Sequence, residues 1–365
     1  MSIIIFIIIL GGLILVHEFG HFIVAKRSGI RVDEFGIGFP PRLLRLFKKG
    51  ETEYTINLIP FGGFVKIFGE NPTDEARAEG PDKKRSFVYA SKILQAAVIG
   101  AGVTMNVLVG WLLLSIIFAV GFPASADLYP ERTLENVAVT VTSVIENSPA
   151  AEAGFKDGDV LKSIGTKSTQ VQKVDSVEMI QKYIGVHGSD TVTLEALRDG
   201  EMFIFDVIPK EGIVTGKHAI GIAMDEIGFL RMPIHEAIWE GAITTIDYIG
   251  QIAEGLGSLI YKAIVGTADY SQVTGPVGIV GIVDDVAELG FLYILRFAAI
   301  ISLNLAVLNL LPFPALDGGR LFFLLIEAVR RKPLPPKFVV TTNTVGFVLL
   351  IILMVAITWK DIAAL

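Results

Sequence analysis

The 365-residue chain has no cysteine, only five histidines, and charged residues at just 19% of its composition. Without cysteine it can form no disulfide, iron–sulfur cluster or thiolate zinc site, so any metal must be held by histidine, aspartate or glutamate. Charges of one sign form no long run, which argues against a nucleic-acid partner. Hydrophobic residues make up 52% of the chain, more than a soluble domain with a solvated surface usually carries. The composition therefore favours a membrane protein.

Four apolar segments have the character of transmembrane helices, each of which needs about 20 residues to cross a bilayer. We predict these helices at residues 1–26, 93–122, 291–311 and 345–359. A cleaved signal peptide is the alternative for the first segment, but no basic region precedes it and no small-residue cleavage site follows it. The expected fold class is a polytopic α-helical membrane protein with about four transmembrane helices.

Basic residues near the ends of the spans predict the orientation, because lysine and arginine favour cytoplasmic loops. The segments 27–92 and 312–344 are both rich in these residues. We therefore expect both segments inside the cell, with the two termini and residues 123–290 outside.

The first cytoplasmic segment contains an apolar stretch that looks like a β-hairpin. Residues 53–59 and 64–68 flank a Pro-Phe-Gly-Gly turn. Because residues 53–68 are too apolar for an ordinary cytoplasmic loop, we predict a membrane-associated hairpin. It could offer a strand edge to an unwound substrate, or it could merely pack against the helices.

The exported segment is expected to contain two parts. Alternating apolar residues and glycine turns predict an inserted α+β module over residues 127–212. Residues 213–290 carry apolar positions at helical spacing between acidic residues, which predicts an amphipathic helical segment on the exported side.

The strongest chemical signal is the His17-Glu18-Phe-Gly-His21 motif within the first span. Residues four apart share one helix face, so two imidazoles there can bind one zinc ion, with Glu18 beside it as catalytic base. The alternative is a pair of histidines satisfied by neighbouring polar groups. Ionisable groups are costly inside an apolar span unless they are paired or functional, which favours the metal site.

A catalytic zinc usually takes three protein ligands and keeps one position for water, so a third ligand is needed. Asp317 is the best candidate, because it follows the third span within a proline-containing apolar stretch. Irregular backbone at membrane depth is tolerated where it packs in protein or lines a wet cavity. The alternative role for Asp317 is an N-cap for a helix over residues 318–329.

These motifs resemble those of the bacterial site-2 proteases, intramembrane zinc metalloproteases of the regulator-of-sigma-E protease type. The resemblance rests on the His17–His21 motif, residues 309–318, residues 275–279 and the exported module. Residues 148–154 and 157–160 resemble a PDZ domain. Relatives often carry two PDZ domains and a proline where Val103 stands, before a transmembrane asparagine that is Asn106 here.

The resemblance implies a zinc endopeptidase that cuts single-pass transmembrane proteins, with His17, His21 and Asp317 as ligands and Glu18 as base. It also implies that Asn304 and Asn309 line the substrate path, although hydrogen bonding between helices is an equal alternative for both. The PDZ domain would bind a substrate end or exclude large substrates. The expected location is the bacterial inner membrane, with the active site in its cytoplasmic half.

Two functions of other classes compete with this one. A catalytically silent membrane scaffold would recruit partners through its PDZ domain, but such a protein could dispense with Glu18 and both histidines. A transporter would also bury ionisable groups, but it should show internal repeats or paired broken helices, and the sequence shows neither.

Overall fold

The computed structural model describes residues 2–70, 82–166, 171–198, 200–214, 217–267 and 273–363. The chain divides into two compact units: unit 1 comprises Met1–Ile117 and Ile234–Leu365, and unit 2 comprises Phe118–Pro233. In chain order the elements are α1 (Ser2–Arg27), β1 (Val32–Lys49), β2 (Thr52–Ile67), α2 (Lys92–Val120), β3 (Phe122–Ser125), β4 (Glu135–Val144), α3 (Pro149–Ala153), β5 (Val160–Thr166), β6 (Gln172–Lys173), α4 (Val177–Val186), β7 (Val192–Arg198), β8 (Glu201–Val207), β9 (Lys210–Val214), β10 (Lys217–Ala219), β11 (Ile222–Leu230), α5 (Ile234–Val265), α6 (Pro276–Glu288), α7 (Phe291–Leu310), α8 (Asp317–Arg330) and α9 (Pro336–Ala363).

Within the described residues, four helices are long and apolar enough to cross a membrane: α1, α2, α7 and α9. They lie at the four apolar segments of the sequence, which confirms this part of the predicted fold class. Only 6% of the residues in the most apolar stretch of α9 are buried. The exposed side chains of this helix include Phe347, Leu349 and Ile352. A helix with an apolar exposed surface needs an apolar solvent, as lipid provides. The last helix begins at Pro336, earlier than the predicted start at residue 345.

The predicted hairpin of residues 53–59 with 64–68 is wrong in its pairing. Residues 53–59 and 64–67 belong to the single strand β2, and the partner of β2 is β1, which precedes it in the chain. Phe35 of β1 lies opposite both Tyr54 and Val65, so β1 separates the two segments that were expected to pair. Repeated register shifts along the ladder accompany this arrangement, in which residues 34–37 of β1 pair with residues 53–56 on one side and with residues 63–66 on the other.

Unit 2 is built around a seven-stranded sheet in which the order is β3-β11-β4-β5-β7-β8, with β6 paired to β5. Its core is fully buried and apolar, with Leu161, Ile164, Ile180 and Leu194 among its largest members. The predicted end of the module at residue 212 is too early, because β11 lies between β3 and β4. The sheet is therefore completed by residues that had been assigned to the amphipathic helical segment.

The rest of that segment forms α5 and α6 in unit 1. Helix α5 buries its small residues Ala237, Gly241 and Thr245. A β-carbon at Gly241 would lie 3.0 Å from the Ser115 backbone nitrogen, so α5 packs closely on α2. Membrane-surface binding by α5 stays a prediction.

Candidate metal centre

Close packing of α1 on α2 positions the two histidines of the motif. A β-carbon at Gly20 would lie 2.4 Å from the carbonyl oxygen of Ala101, so only glycine allows the helices to approach this far. His17 and His21 share the face of α1 that carries Gly20, and both are buried. The contact between α1 and α2 therefore holds both imidazoles inside unit 1.

The third side chain comes from α8, after the chain breaks at the end of α7. Asp317 is the first residue of α8, and Oδ2 of its carboxylate lies 2.9 Å from His17 Nε2 and 3.2 Å from His21 Nε2. The two Nε2 atoms are 3.2 Å apart. The residue at the N-cap position is Leu316, and Asp317 makes no capping hydrogen bond. The structure thus brings together the three residues predicted as ligands and gives no support to the capping alternative.

Two observations test whether zinc fits these side chains. Tetrahedral ligands at Zn–N and Zn–O distances of about 2.0–2.2 Å lie roughly 3.3–3.5 Å apart, close to the separations seen among the three atoms. Gly102 of α2 faces the same point, since a β-carbon there would lie 2.5 Å from His21 Nε2 and 2.6 Å from His17 Nε2. Two imidazole nitrogens, one carboxylate oxygen and a cleared space beside them suit a zinc ion with one open position.

The far side of each imidazole also has a polar neighbour on α2. His21 Nδ1 lies 2.8 Å from the carbonyl oxygen of Val98, and His17 Nδ1 lies 3.3 Å from Nδ2 of Asn106. Ser302 of α7 in turn donates to the backbone carbonyl of Asn106. In the sequence, Asn106 stood out only as the transmembrane asparagine that relatives carry after a proline, and no role at the metal site was predicted for it. A polar residue four positions after Gly102, on the same face of an apolar helix, is the signal that points to the metal site.

Glu18 is flanked by β2. A β-carbon at Gly63 would lie 3.2 Å from Glu18 Cβ. The second half of β2 therefore runs directly beside the predicted catalytic base.

The two asparagines predicted to line the substrate path, Asn304 and Asn309, lie in the second half of α7. Asn304 donates to the carbonyl of Ile300 within its own helix, at 2.9 Å, so its observed hydrogen bond does not link helices. Asn309 is half-buried in the last turn of α7. Lining of a substrate path by these residues stays a prediction.

Ion pairs tie the elements around the site together. One turn after Asp317, Arg320 pairs with Glu70, which follows β2, and lies 5.8 Å from the Phe87 ring centroid. Burial opposes the charge on Arg320, but Glu70 outweighs it and raises the pKa of the guanidinium above its ordinary value. This pairing links α8 to the sheet, and nothing in the sequence alone predicted it.

Burial and hydrogen bonding also oppose each other in setting the pKa of a carboxyl group in the sheet of β1 and β2. Burial acts to raise the pKa of Glu34, but hydrogen bonds from Arg42 and Thr55, at 2.8 Å each, hold it below its ordinary value. Glu34 is thus held by Arg42 of its own strand and by Thr55 of β2.

Fold and site together define a class of protein in which helices apolar enough to cross a membrane carry a cluster of two histidines and an aspartate that could hold a metal ion. A model of Peptidase family M50, the site-2 protease family, matches residues 5–353, and the chain belongs to this family. This membership confirms the predicted enzyme class, a metallopeptidase, and zinc as its metal. The matches do not show a PDZ domain, which stays a prediction for unit 2.

Similar proteins cover nearly the whole chain. A relative from Clostridium perfringens, named as a candidate zinc metalloprotease, is 36% identical over 363 residues, covering 99% of this chain and 98% of its own. The zinc metalloprotease RasP of Geobacillus kaustophilus is 31% identical, with 99% and 97% covered. The regulator of sigma-W protease RasP of Bacillus subtilis is 29% identical, with 100% and 99% covered.

Proposed function

We propose that this protein hydrolyses peptide bonds in or near the transmembrane segments of single-pass membrane proteins. The observation that carries the proposal is the convergence of His17, His21 and Asp317 at a helix that is apolar enough to cross a membrane. A hydrolytic centre on such a helix serves substrates that lie in the bilayer. Anti-sigma factors already trimmed by another protease and signal-peptide remnants are the expected substrates.

In the proposed mechanism, His17, His21 and Asp317 hold the zinc ion and Glu18 moves the proton. A zinc ion held by these residues would polarise the scissile carbonyl and lower the pKa of the attacking water to about 7. Glu18 takes the proton from the attacking water and passes it to the leaving amine. A substrate helix hides its carbonyls in its own hydrogen bonds, so a locally unwound segment must reach Glu18, and helix-breaking residues should favour cleavage.

The test separates the base from the ligands. Glu18→Gln should keep about one zinc per chain and lose cleavage of a model single-pass substrate by roughly 10²–10⁴-fold. Asp317→Asn and His17→Ala should lose both zinc and cleavage, whereas His235→Ala, at an exposed histidine of α5, should lose neither. Undiminished cleavage by Glu18→Gln would show that Glu18 is not the catalytic base.

The proposed location is a bacterial inner membrane. His17 lies about 22 Å along α1 at 1.5 Å per residue. If the N-terminus is outside, the zinc is therefore in the cytoplasmic half of the bilayer. The cysteine-free chain allows a labelling test with an impermeant thiol reagent in intact cells. Lys182→Cys should react and Lys48→Cys should not, since both positions are exposed and only the first is expected outside. The opposite result would invert the topology.

Unit 2 is proposed to be a PDZ-like module that captures a substrate end or excludes untrimmed substrates. Its two ends meet, because the Met232 amide donates to the Phe118 carbonyl at 2.9 Å. A short Gly-Ser linker can therefore replace residues 121–231. The shortened protein should bind zinc, cut, and accept untrimmed substrates. A folded, zinc-loaded deletion that cuts nothing would make unit 2 part of the catalytic machinery and end the filter proposal.

A further inference from the structure

The two imidazoles present the same nitrogen to Asp317. Nε2 of His17 and Nε2 of His21 lie 2.9 Å and 3.2 Å from its Oδ2 atom, and 3.2 Å from each other. If zinc binds here, as the proposed function requires, it binds both rings through Nε2. Each ring must then carry its hydrogen on Nδ1, and that hydrogen needs an acceptor.

For His21 the acceptor is already in place. Its Nδ1 atom lies 2.8 Å from the carbonyl oxygen of Val98, an atom that can only accept. This contact sets the tautomer of His21 that leaves Nε2 free for a metal.

His17 differs, because its Nδ1 atom lies 3.3 Å from Nδ2 of Asn106, which can only donate. Such a contact suits the metal-free tautomer, in which His17 Nε2–H donates to Asp317. Once Nε2 binds zinc, Nδ1–H and Nδ2–H would oppose each other. Asn106 is fully buried, and its Oδ1 atom has no hydrogen-bond partner in the part of the chain that the structure describes.

A half-turn of the amide about its last side-chain bond exchanges the two atoms. We propose that Asn106 is a positioning residue for the metal centre, and that in the zinc-loaded protein its Oδ1 accepts the hydrogen of His17 Nδ1. The turn removes the clash of two donors and gives the free oxygen a partner. Asn106 then does for His17 what the Val98 carbonyl does for His21, and it couples zinc binding to one tautomer.

The experiment compares two substitutions at this position in purified protein by zinc affinity, measured in competition with a chelator. Asn106→Leu keeps the volume but offers no acceptor, and should weaken zinc binding by about 10–100-fold, as loss of such partners does elsewhere. Asn106→Asp offers a carboxylate, which accepts from Nδ1–H without any turn, and should bind zinc about as tightly as the parent. The absorption spectrum of the cobalt-substituted protein should stay parental in Asn106→Asp and change in Asn106→Leu.

The controls separate this inference from the site itself. Ser302→Ala removes the hydrogen bond to the Asn106 backbone and should leave zinc affinity unchanged. Parental zinc affinity in His17→Ala would overturn the proposed ligand set. Loss of zinc in His17→Ala with parental affinity in Asn106→Leu would overturn the role of Asn106 alone. If Asn106→Leu fails to fold, Asn106→Asp decides: weakened zinc binding rejects the acceptor role, and parental binding supports it.

Discussion

Unit 1 and unit 2 differ in the polar groups that they bury and in the apolar residues that they expose. The hydrophobic core of unit 2 contains large apolar residues such as Leu161, Ile164 and Leu194, and its buried carboxylate, Asp159, is paired with Arg198. In unit 1 several polar side chains are buried, among them His17, His21 and Asn106, whereas many large apolar residues of α1 and α9 are exposed. The two units are therefore built for different solvents.

Four buried polar groups on the helices of unit 1 lie around the predicted metal site: His17, His21, Asn106 and Ser302. A polar group in an apolar environment costs free energy unless it is paired. The His21 ring contacts the carbonyl of Val98 on α2, and the Ser302 hydroxyl donates a hydrogen bond to the backbone carbonyl of Asn106. The Asp317 carboxylate lies against both imidazoles.

Gly102→Ala gives the largest expected effect on this site. The new methyl group would lie about where the metal must sit, 2.5–2.6 Å from the two Nε2 atoms. Zinc content and cleavage should both fall to background. The matched control is Gly100→Ala on the same helix, where a β-carbon meets nothing within 4 Å. Full zinc loading of Gly102→Ala, measured by metal analysis, would show that the metal lies elsewhere.

The sequence carries the parts of this picture that depend on one segment at a time. Length and apolar composition identify each of the four helices, and helical periodicity places His17 and His21 on one face. Unit 2 was found as a β-rich module because its strands alternate.

The parts that the sequence could not supply depend on long-range pairing. The place of β1 opposite both halves of β2 depends on register shifts, and the place of β11 between β3 and β4 depends on residues distant in the chain. The contact of Asn106 with His17 follows from the helix approach at Gly20, which no periodicity encodes.

Proline at the end of β2 should have the next largest effect. If an unwound substrate adds as a strand beside residues 65–67, near Glu18, then proline there removes a backbone donor and should reduce cleavage roughly tenfold with zinc retained. Residues 52–59 are unsuitable for the test, because the first half of β1 pairs with them on one side and the second half of β1 pairs with them on the other. They therefore have no free edge for a substrate strand. Arg45→Pro in β1 is the control away from Val65. If folded, zinc-loaded variants at 65–67 cut at the parental rate, strand addition at this edge is refuted.

The asparagines of α7 should have a smaller effect. Asn309→Leu is expected to lower kcat/KM by about fivefold if it contacts the substrate backbone through one hydrogen bond worth roughly 1 kcal/mol. Asn304→Leu should change less, because its amide already bonds to the Ile300 carbonyl. Zinc content should stay at the parental value in both. Parental kcat/KM in both variants would remove these residues from the substrate path.

Asp159→Asn should have the smallest effect on the metal centre and yet damage unit 2. The carboxylate of Asp159 has no exposed surface, and it accepts hydrogen bonds from Arg198 at 2.6 Å and 2.7 Å and from the Lys156 amide at 2.9 Å. Losing one partner of a buried pair typically costs about 3–5 kcal/mol. The unfolding transition of unit 2 should therefore fall by roughly 12–20 °C.

Zinc affinity should be unchanged in the same variant, because every proposed ligand lies in unit 1. Asp157→Asn, two residues away and exposed, is the matched control and should leave both the transition and the zinc in place. Calorimetry with metal analysis on the same samples measures both properties. If Asp159→Asn lost zinc as it lost stability, the two units would not be independent, and the contrast between a membrane-built centre and a water-built module would fail.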